Sequence, residues 1–575
     1  MSAGSKSIAL LGSGGSGVMT AGNLLLDAAG RAGWYGLMTR SSGPQIRGGE
    51  AAAMLRLSRE PMDSHQDRYD VLLAIDWNNA ERFTAELPMD GNSVAIGDPD
   101  AGAIPDAMRD SGARIVELPL KRLAKEISGG RPNMVALGAV AALLGIPESA
   151  LRASLAGILG RKGEAVVESS EAGMRAGMTA AAELPNGLLL AAPREPTAGR
   201  WSITGNEACG LGAIRGGIRF VAAYPITPAT ELLEWMAPAL QSIGGLLVQA
   251  EDELASINQL IGASFGGVPS LTATSGPGLA LMTESIGLAV ASETPLVVVD
   301  VMRGGPSTGI PTKSEQSDLN IALYGMHGDA PHVVMAPTTV ADCLFTSEWA
   351  VRIAEALQTP VILLSDQALG QARVIIERPA DSALTGERRL PDGIGESYQR
   401  YAVDDTGVSP MALPGMARGQ YVAEGLEHGT SGNPSSLADD HHAQLDKRER
   451  KLRDYDFGEH WALLGGDEGA DTAVMTWGSC FGPVREALDA LRRRGAALKL
   501  VAPRLLAPAQ PQRMAAALHG VRRLLVVEQT HGAQFYRYLR AYYELPEQVR
   551  SLSIPGPLPI RPGDVEGALN EWSQS

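Results

Sequence analysis

Tyr224-Pro225-Ile226-Thr227-Pro228-Ala229-Thr230, read together with Gln249-Ala250-Glu251-Asp252-Glu253, decides the fold. Ahead of it, Arg219-Phe220-Val221-Ala222-Ala223-Tyr224 is short, apolar and closed by proline, the pattern of a buried strand. Pro225 and Pro228 restrict φ and remove two backbone donors, so the chain leaves this strand in a stiff turn. Thr230-Glu231-Leu232-Leu233-Glu234 opens a helix, with Thr230 expected at its N-cap. Leu246-Leu247-Val248-Gln249 is the next strand, and Glu253 begins the helix after it. Thr227 and Glu253 therefore fall at the carboxyl ends of two strands, where open α/β sheets bind ligands.

Further along, Pro295 to Asp300 is another apolar strand, followed by Val301-Met302-Arg303-Gly304-Gly305-Pro306. This puts Arg303 on the same edge as Thr227 and Glu253. The polar run Ile310-Pro311-Thr312-Lys313-Ser314-Glu315-Gln316-Ser317-Asp318-Leu319 is long enough to fold over that edge. Arginine clamps a small carboxylate bidentately, a threonine hydroxyl orients a carbonyl oxygen, and a glutamate in apolar surroundings shares a proton with a ring nitrogen. Read from the residues alone, Glu253 is also consistent with a favourable charge at a helix amino end, Thr227 with a capping hydroxyl, and Arg303 with a surface ion pair.

The amino-terminal part, residues 1–190, reads as one α/β domain. Ser7-Ile8-Ala9-Leu10-Leu11 is a strand, Gly12-Ser13-Gly14-Gly15-Ser16-Gly17 a tight loop, and Val18 to Ala32 a helix. Glycines at 12, 14 and 17 match the dinucleotide fingerprint, whose backbone amides hold a phosphate; a plain packing turn is the alternative. The acidic residue that would hold an NAD ribose about 20 positions on is missing. Arg40, Ser41 and Arg47 stand there instead, and suit either a phosphorylated ligand or a solvated basic turn.

Residues 191–200 are Pro-rich and polar, a linker, and residues 201–379 form a second α/β domain. Residues 380–468 lack apolar periodicity and read as an extended connector, and residues 469–575 as a last α/β unit. Glycine is frequent, 67 of 575 residues or about 12% against roughly 7%, as tight strand-to-helix turns require. The net charge of −16 argues against nucleic acid or anionic membrane as partner. Three cysteines, Cys209, Cys343 and Cys480, cannot build a disulfide framework, a zinc site or an iron–sulfur cluster within the chain, and no metal site is expected. With no signal-peptide pattern and no long apolar run, a reducing cytoplasm is the expected compartment.

Several motifs, in order, resemble the 2-oxoacid:ferredoxin oxidoreductases: Gly-Asn-Glu-Ala at 205–208, Tyr-Pro-Ile-Thr-Pro at 224–228, Glu253, Thr-Ser-Gly-Pro-Gly at 274–278 and the stretch from Arg303 to Leu319. The first domain, with Ser-Gly-Pro-Gln-Ile-Arg-Gly-Gly at 42–49, resembles that family's gamma subunit and the remainder its alpha subunit, so the chain is similar to a gamma–alpha fusion. The resemblance implies a Rossmann-like gamma domain, a pyrimidine-type thiamine-diphosphate domain and a transketolase-C-terminal-like domain. It places Glu253 at the aminopyrimidine of thiamine diphosphate, beside Tyr224, Pro225 and Ile226, with Thr227 near the substrate carbonyl and Arg303 on the 2-oxoacid carboxylate. It assigns coenzyme A to the gamma-like domain, at Gly14, Gly15, Ser16, Arg40, Ser41 and Arg47. The segment from Glu528 to Gln534 resembles the family's last domain but replaces two asparagines with Gln529 and Thr530, so no role is carried onto it.

A Gly-Asp-Gly diphosphate motif with its following asparagine is absent, as are clustered cysteines. The chain is therefore expected to need a partner similar to the family's beta subunit. That partner would carry the diphosphate with its magnesium ion and a [4Fe-4S] cluster, pass electrons to ferredoxin, and assemble with this chain as a dimer of heterodimers. The expected substrate is 2-oxoglutarate, with Lys313 or, more weakly, His327 on the distal carboxylate; pyruvate and branched-chain 2-oxoacids stay open. Two other readings are a non-catalytic scaffold that binds coenzyme A or a nucleotide, and an NADP-dependent dehydrogenase built on the first domain.

Overall fold

The structure, a computed structural model, describes residues 4–43, 49–78, 80–184, 187–193, 199–381, 384–395 and 398–574. Among these the strands form three main sheets. The first takes β1 (Ser5–Ser13), β2 (Tyr35–Ser42), β3 (Glu50–Ser58), β4 (Val71–Ala74), β5 (Val94–Gly97) and β6 (Arg114–Glu117) from the start of the chain. It is extended by β7 (Arg200–Thr204) and β14 (Arg373–Glu377), in the order β6-β5-β4-β1-β3-β2-β14-β7. β1, β4, β5 and β6 run parallel, as a Rossmann-like half requires. β3 departs from that scheme: it lies between β1 and β2 and is antiparallel to both. Its Glu-Ala-Ala-Ala-Met-Leu start favours helix locally, and burial between two strands overrides that preference.

The expected linker at 191–200 falls partly outside the described residues, at 194–198. The strands that flank it do not part company. β14 pairs antiparallel with both β2 and β7, so the first sheet runs on into the second unit.

The second sheet has the order β18-β12-β13-β11-β10-β8-β9. Its parallel strands are β8 (Phe220–Ala223), β9 (Leu246–Gln249), β10 (Ser270–Thr274), β11 (Leu296–Met302), β12 (Val333–Met335) and β13 (Pro360–Asp366). β10, β11 and β13 are buried along their whole length, which is why β11 and β13 read as largely apolar runs, whereas β10, Ser-Leu-Thr-Ala-Thr, alternates with small hydroxyl side chains. β18 (Leu505–Ala507), lent by the last unit, closes the far edge antiparallel to β12.

The third sheet, β15-β17-β16-β19-β20, comprises β15 (Ala462–Gly466), β16 (Thr472–Thr476), β17 (Lys499–Pro503), β19 (Arg523–Glu528) and β20 (Gln548–Ser553). It therefore starts at Ala462, inside the stretch expected to be connector. The rest of that stretch holds a helix, Ala438–Arg453, which is very polar yet largely docked. Glu293, fully buried, accepts from Lys447 at 2.5 Å and Lys451 at 3.2 Å, and its carbonyl accepts from Arg400 at 2.9 Å. Buried ion pairs, not an apolar stripe, fasten this segment to the second unit. Among the described residues no helix is long and apolar enough to cross a membrane.

Candidate active site

The helix Glu253–Phe265 after β9 meets the amino end of the helix Gly276–Ala291, and the turn after β8, the strand between β9 and β10, lies at the same edge of the sheet. Tyr224 is 41% exposed, and Pro225, Ile226 and Thr227 are half-buried along the turn. The helix Thr230–Ser242 follows with Ala229 at its cap position and no side-chain capping bond. Ala229 already has helical angles, φ −74° and ψ −19°, so the helix is entered one residue early and Thr230 does not cap it.

Asp252 caps the next helix, its Oδ1 accepting from the Ala255 amide at 2.7 Å. That frees Glu253, the first helical residue, to turn inward, where it is 7% exposed. Among the described residues its carboxylate makes no hydrogen bond and no ion pair. It lies against Gly278, where a Cβ would stand 2.8 Å from Glu253 Cγ and Oε1 and 2.1 Å from Thr274 Oγ1. Only glycine leaves room for the carboxylate there.

Arg303 follows β11, is buried, and donates from Nη1 to the Thr227 carbonyl at 2.6 Å. Among the described residues its Nε and Nη2 and the Thr227 hydroxyl make no hydrogen bond. Asn206, in the Gly-Asn-Glu-Ala motif, supports the turn by donating to the Pro228 carbonyl at 3.1 Å. A carboxylate, a hydroxyl and a guanidinium edge are thus held by bonds that leave their reactive atoms open. Nothing at Asn206 marked it as a support beforehand; its partner is 22 residues away.

The segment after Arg303 is a strap held by all three units. Its Lys313 Nζ bonds Ser41 Oγ at 2.6 Å and pairs with Glu86, both in the first unit. Gln316 donates to the Trp477 carbonyl at 2.8 Å and accepts from the Gln529 amide at 2.8 Å, while Gln534 reaches the Ser317 carbonyl at 2.9 Å. Lys313 is thus engaged in an ion pair and Ser41 accepts from it, and both line, with Arg40, a cavity between the first unit and the strap. His327 is exposed on a turn. Glu528 is buried and bonds the Phe535 and Tyr536 amides at 2.9 Å, a structural cap.

At the glycine loop the structure shows a cleft of about 470 Å³ lined by Gly15, Ser16, Lys121, Arg131, Asn133 and Lys162, among others. Part of the loop is already satisfied. Ser13 bonds Asp76 through its amide at 2.9 Å and its hydroxyl at 2.7 Å, and the Gly14 amide bonds the Gly49 carbonyl. The Gly15 and Gly17 amides make no bond among the described residues, and the Ser16 hydroxyl is buried without a partner. Arg40 is not in this cleft; it pairs with Glu231 and reaches Gln371 at 3.3 Å, across the junction with the second unit. Arg47 lies outside the described residues. Lys121, Arg131 and Lys162, the cations that do line the cleft, sit over 100 residues from the loop in sequence, where no motif flags them.

Comparison with known proteins accords with this arrangement. Residues 7–180 match the family described as pyruvate ferredoxin/flavodoxin oxidoreductase, and residues 211–447 its thiamine-diphosphate-binding counterpart. The alpha subunit of 2-oxoacid:ferredoxin oxidoreductase 2 from Aeropyrum pernix is 33% identical over 497 residues, 80% of this chain and 76% of that one. The 2-oxoglutarate synthase subunit KorA of Methanothermobacter marburgensis is 36% identical over 345 residues, 59% of this chain and 90% of that one. A solved structure of 2-oxoglutarate:ferredoxin oxidoreductase from Magnetococcus marinus, with 2-oxoglutarate, coenzyme A and succinyl-CoA bound, is 37% identical, covers 99% of both chains and superposes with a TM-score of 0.93. These matches define a multi-subunit oxidoreductase with a thiamine-diphosphate-binding domain. The chain belongs to the 2-oxoacid:ferredoxin oxidoreductase family.

Proposed function

We propose that the chain is the alpha-type subunit of a 2-oxoglutarate:ferredoxin oxidoreductase. With coenzyme A, the complex converts 2-oxoglutarate to succinyl-CoA and carbon dioxide and passes two electrons through a partner subunit to ferredoxin. The observation that carries this reading is the inward-turned Glu253, 7% exposed and without a hydrogen-bond partner among the described residues, at the same edge of the parallel sheet as Thr227 and the unpaired Arg303 Nε. A carboxyl in so enclosed a place can hold a proton and donate it to a ligand ring nitrogen, which then accepts. The aminopyrimidine of thiamine diphosphate is such a ligand, and Tyr224, Pro225 and Ile226 line its approach. When bound, thiamine diphosphate supplies an electron sink for breaking the bond between the 2-oxo carbon and its carboxylate.

This chain's own groups then have distinct tasks. Glu253 holds a proton against the aminopyrimidine ring nitrogen, Arg303 takes the 2-oxoacid carboxylate on its free edge, and the Thr227 hydroxyl donates to the 2-oxo oxygen. The first unit takes coenzyme A, with its phosphates met by Lys121, Arg131, Lys162 and the open amides of Gly15 and Gly17. We assign the diphosphate, magnesium and [4Fe-4S] cluster to a partner beta subunit and the whole to a dimer of heterodimers. With Lys313 engaged elsewhere, the distal carboxylate is left to a residue of that partner. The substrate assignment is supported by similarity across 99% of both chains to a structure with 2-oxoglutarate and succinyl-CoA bound.

The test is reconstitution with the partner subunit and mass-spectrometric identification of the thioester formed from 2-oxoglutarate, pyruvate or branched-chain 2-oxoacids. Succinyl-CoA formed in preference to the others supports the proposal. A preference for acetyl-CoA moves the chain to a pyruvate enzyme, and the absence of any thioester leaves a scaffold role.

A further inference from the structure

Beneath Arg303 lie two acidic residues to which the reading above gives no task. Asp300 is on β11 and fully buried; Asp318 closes the strap and precedes the short helix Leu319–Tyr324 without capping it. Their carboxyls are in hydrogen-bond contact with each other, and neither accepts a bond from any donor among the described residues. Two touching carboxyls, Asp300 fully buried and Asp318 half-buried with its Oδ2 shut away from solvent, do not both ionise near neutrality, so they share a proton. On the neighbouring strand Thr274 pairs with Asp300, and two residues on, at Gly276, a Cβ would stand 2.6 Å from both Asp318 oxygens, so glycine there lets Asp318 close in on this part of the sheet.

The charged groups facing the pair are Arg303, which attracts it without closing an ion pair, and Glu315 of the strap, which acts on Asp318 and is itself opposite His531. Burial pushes the Asp318 carboxyl up to about 6, and burial with the neighbouring carboxyl raises Asp300 further. The resting pair thus carries one negative charge at neutral pH, enough to balance a buried guanidinium that is 7% exposed. An arriving carboxylate sets two anions against one cation.

Resting on the reading of Arg303 as the carboxylate site, we infer that Asp300 and Asp318 are positioning residues for Arg303, balancing it with one charge and taking up a solvent proton when the 2-oxoacid binds. Only an O–H bond forms, and the proton returns to solvent on release. Below about pH 6 the pair is already neutral and binding draws no proton; above it, binding draws up to one, and affinity falls up to tenfold per pH unit.

The experiment is calorimetric titration of 2-hydroxyglutarate, which carries the same carboxylates but does not lose carbon dioxide, into the complex reconstituted with its partner. Titrations in buffers of different ionisation enthalpy count the protons. Uptake nearing one proton at pH 8 and little at pH 5.5 is expected, with neither uptake nor pH dependence in Asp300→Asn/Asp318→Asn. Should that double variant fail to fold, Asp318→Asn alone, which relieves Asp300 of its like-charged neighbour, is expected to lose the uptake between pH 6 and 8. Proton-free binding by the wild type at pH 8, or undiminished uptake in the folded variants, overturns the inference. Arg303→Met separates the two ideas: if it binds 2-hydroxyglutarate as tightly as the wild type, the assignment of Arg303 itself fails.

Discussion

Replacing Gly278 by alanine adds one methyl group where the site has least room. The new Cβ would stand 2.1 Å from Thr274 Oγ1 and 2.8 Å from both Cγ and Oε1 of Glu253. Carbon atoms rest about 3.5–4.0 Å apart, so Glu253 must retreat by roughly 1 Å and Thr274 must rotate. Overpacking of this kind costs about 1–3 kcal/mol of stability, within what a folded chain of this size tolerates. The catalytic cost is larger, since a misplacement of about 1 Å lowers rates by roughly 10²-fold. The assay is 2-oxoacid-dependent reduction of a viologen dye by the reconstituted complex, run beside thermal unfolding. A drop in kcat near 100-fold with little change in KM is expected, because Arg303 is held from the other side by Thr227. A folded Gly278→Ala enzyme with wild-type kcat would refute the packing argument and the role given to Glu253.

Other perturbations test the surroundings. Glu293→Gln leaves Lys447 and Lys451 buried without a counter-charge and should cost about 3–5 kcal/mol in chemical denaturation at pH 7. Burial already holds Lys451 down to about 8, so deprotonation relieves the variant and its deficit should shrink by pH 9; equal stability of variant and wild type would show the cluster to be inert. Lys313→Ala removes the strap's tie to Ser41 and Glu86 and should cost about 1–3 kcal/mol while leaving relative KM values for 2-oxoglutarate and pyruvate unchanged. A selective loss of 2-oxoglutarate would return Lys313 to the substrate site.

Much of the scaffold around the site was legible because strands buried on both faces announce themselves: Leu296–Met302 is apolar except for Asp300, and proline after Tyr224 marks where β8 must end. The common rim of Thr227, Glu253 and Arg303 followed from their positions after parallel strands. What was hidden depends on distant partners. β3 is an alanine-rich segment whose strand state is imposed by β1 and β2, and the helix Ala438–Arg453 is docked through buried charges that no hydrophobic period reveals. Arg40, Ser41 and Lys313 looked like ligand contacts because their types suit phosphate or carboxylate. In the structure Arg40 pairs with Glu231 and Lys313 with Glu86 and Ser41, partners far away in sequence, and residue type alone cannot say which anion a cation meets.

The central claim is that Glu253 is the proton-holding group of half an active site. Its most direct measurement is succinyl-CoA formation by the reconstituted complex carrying Glu253→Gln, with assembly checked by size-exclusion chromatography. The account predicts an intact complex with turnover lowered about 10²–10⁴-fold. An assembled Glu253→Gln complex that forms succinyl-CoA at the wild-type rate would contradict it.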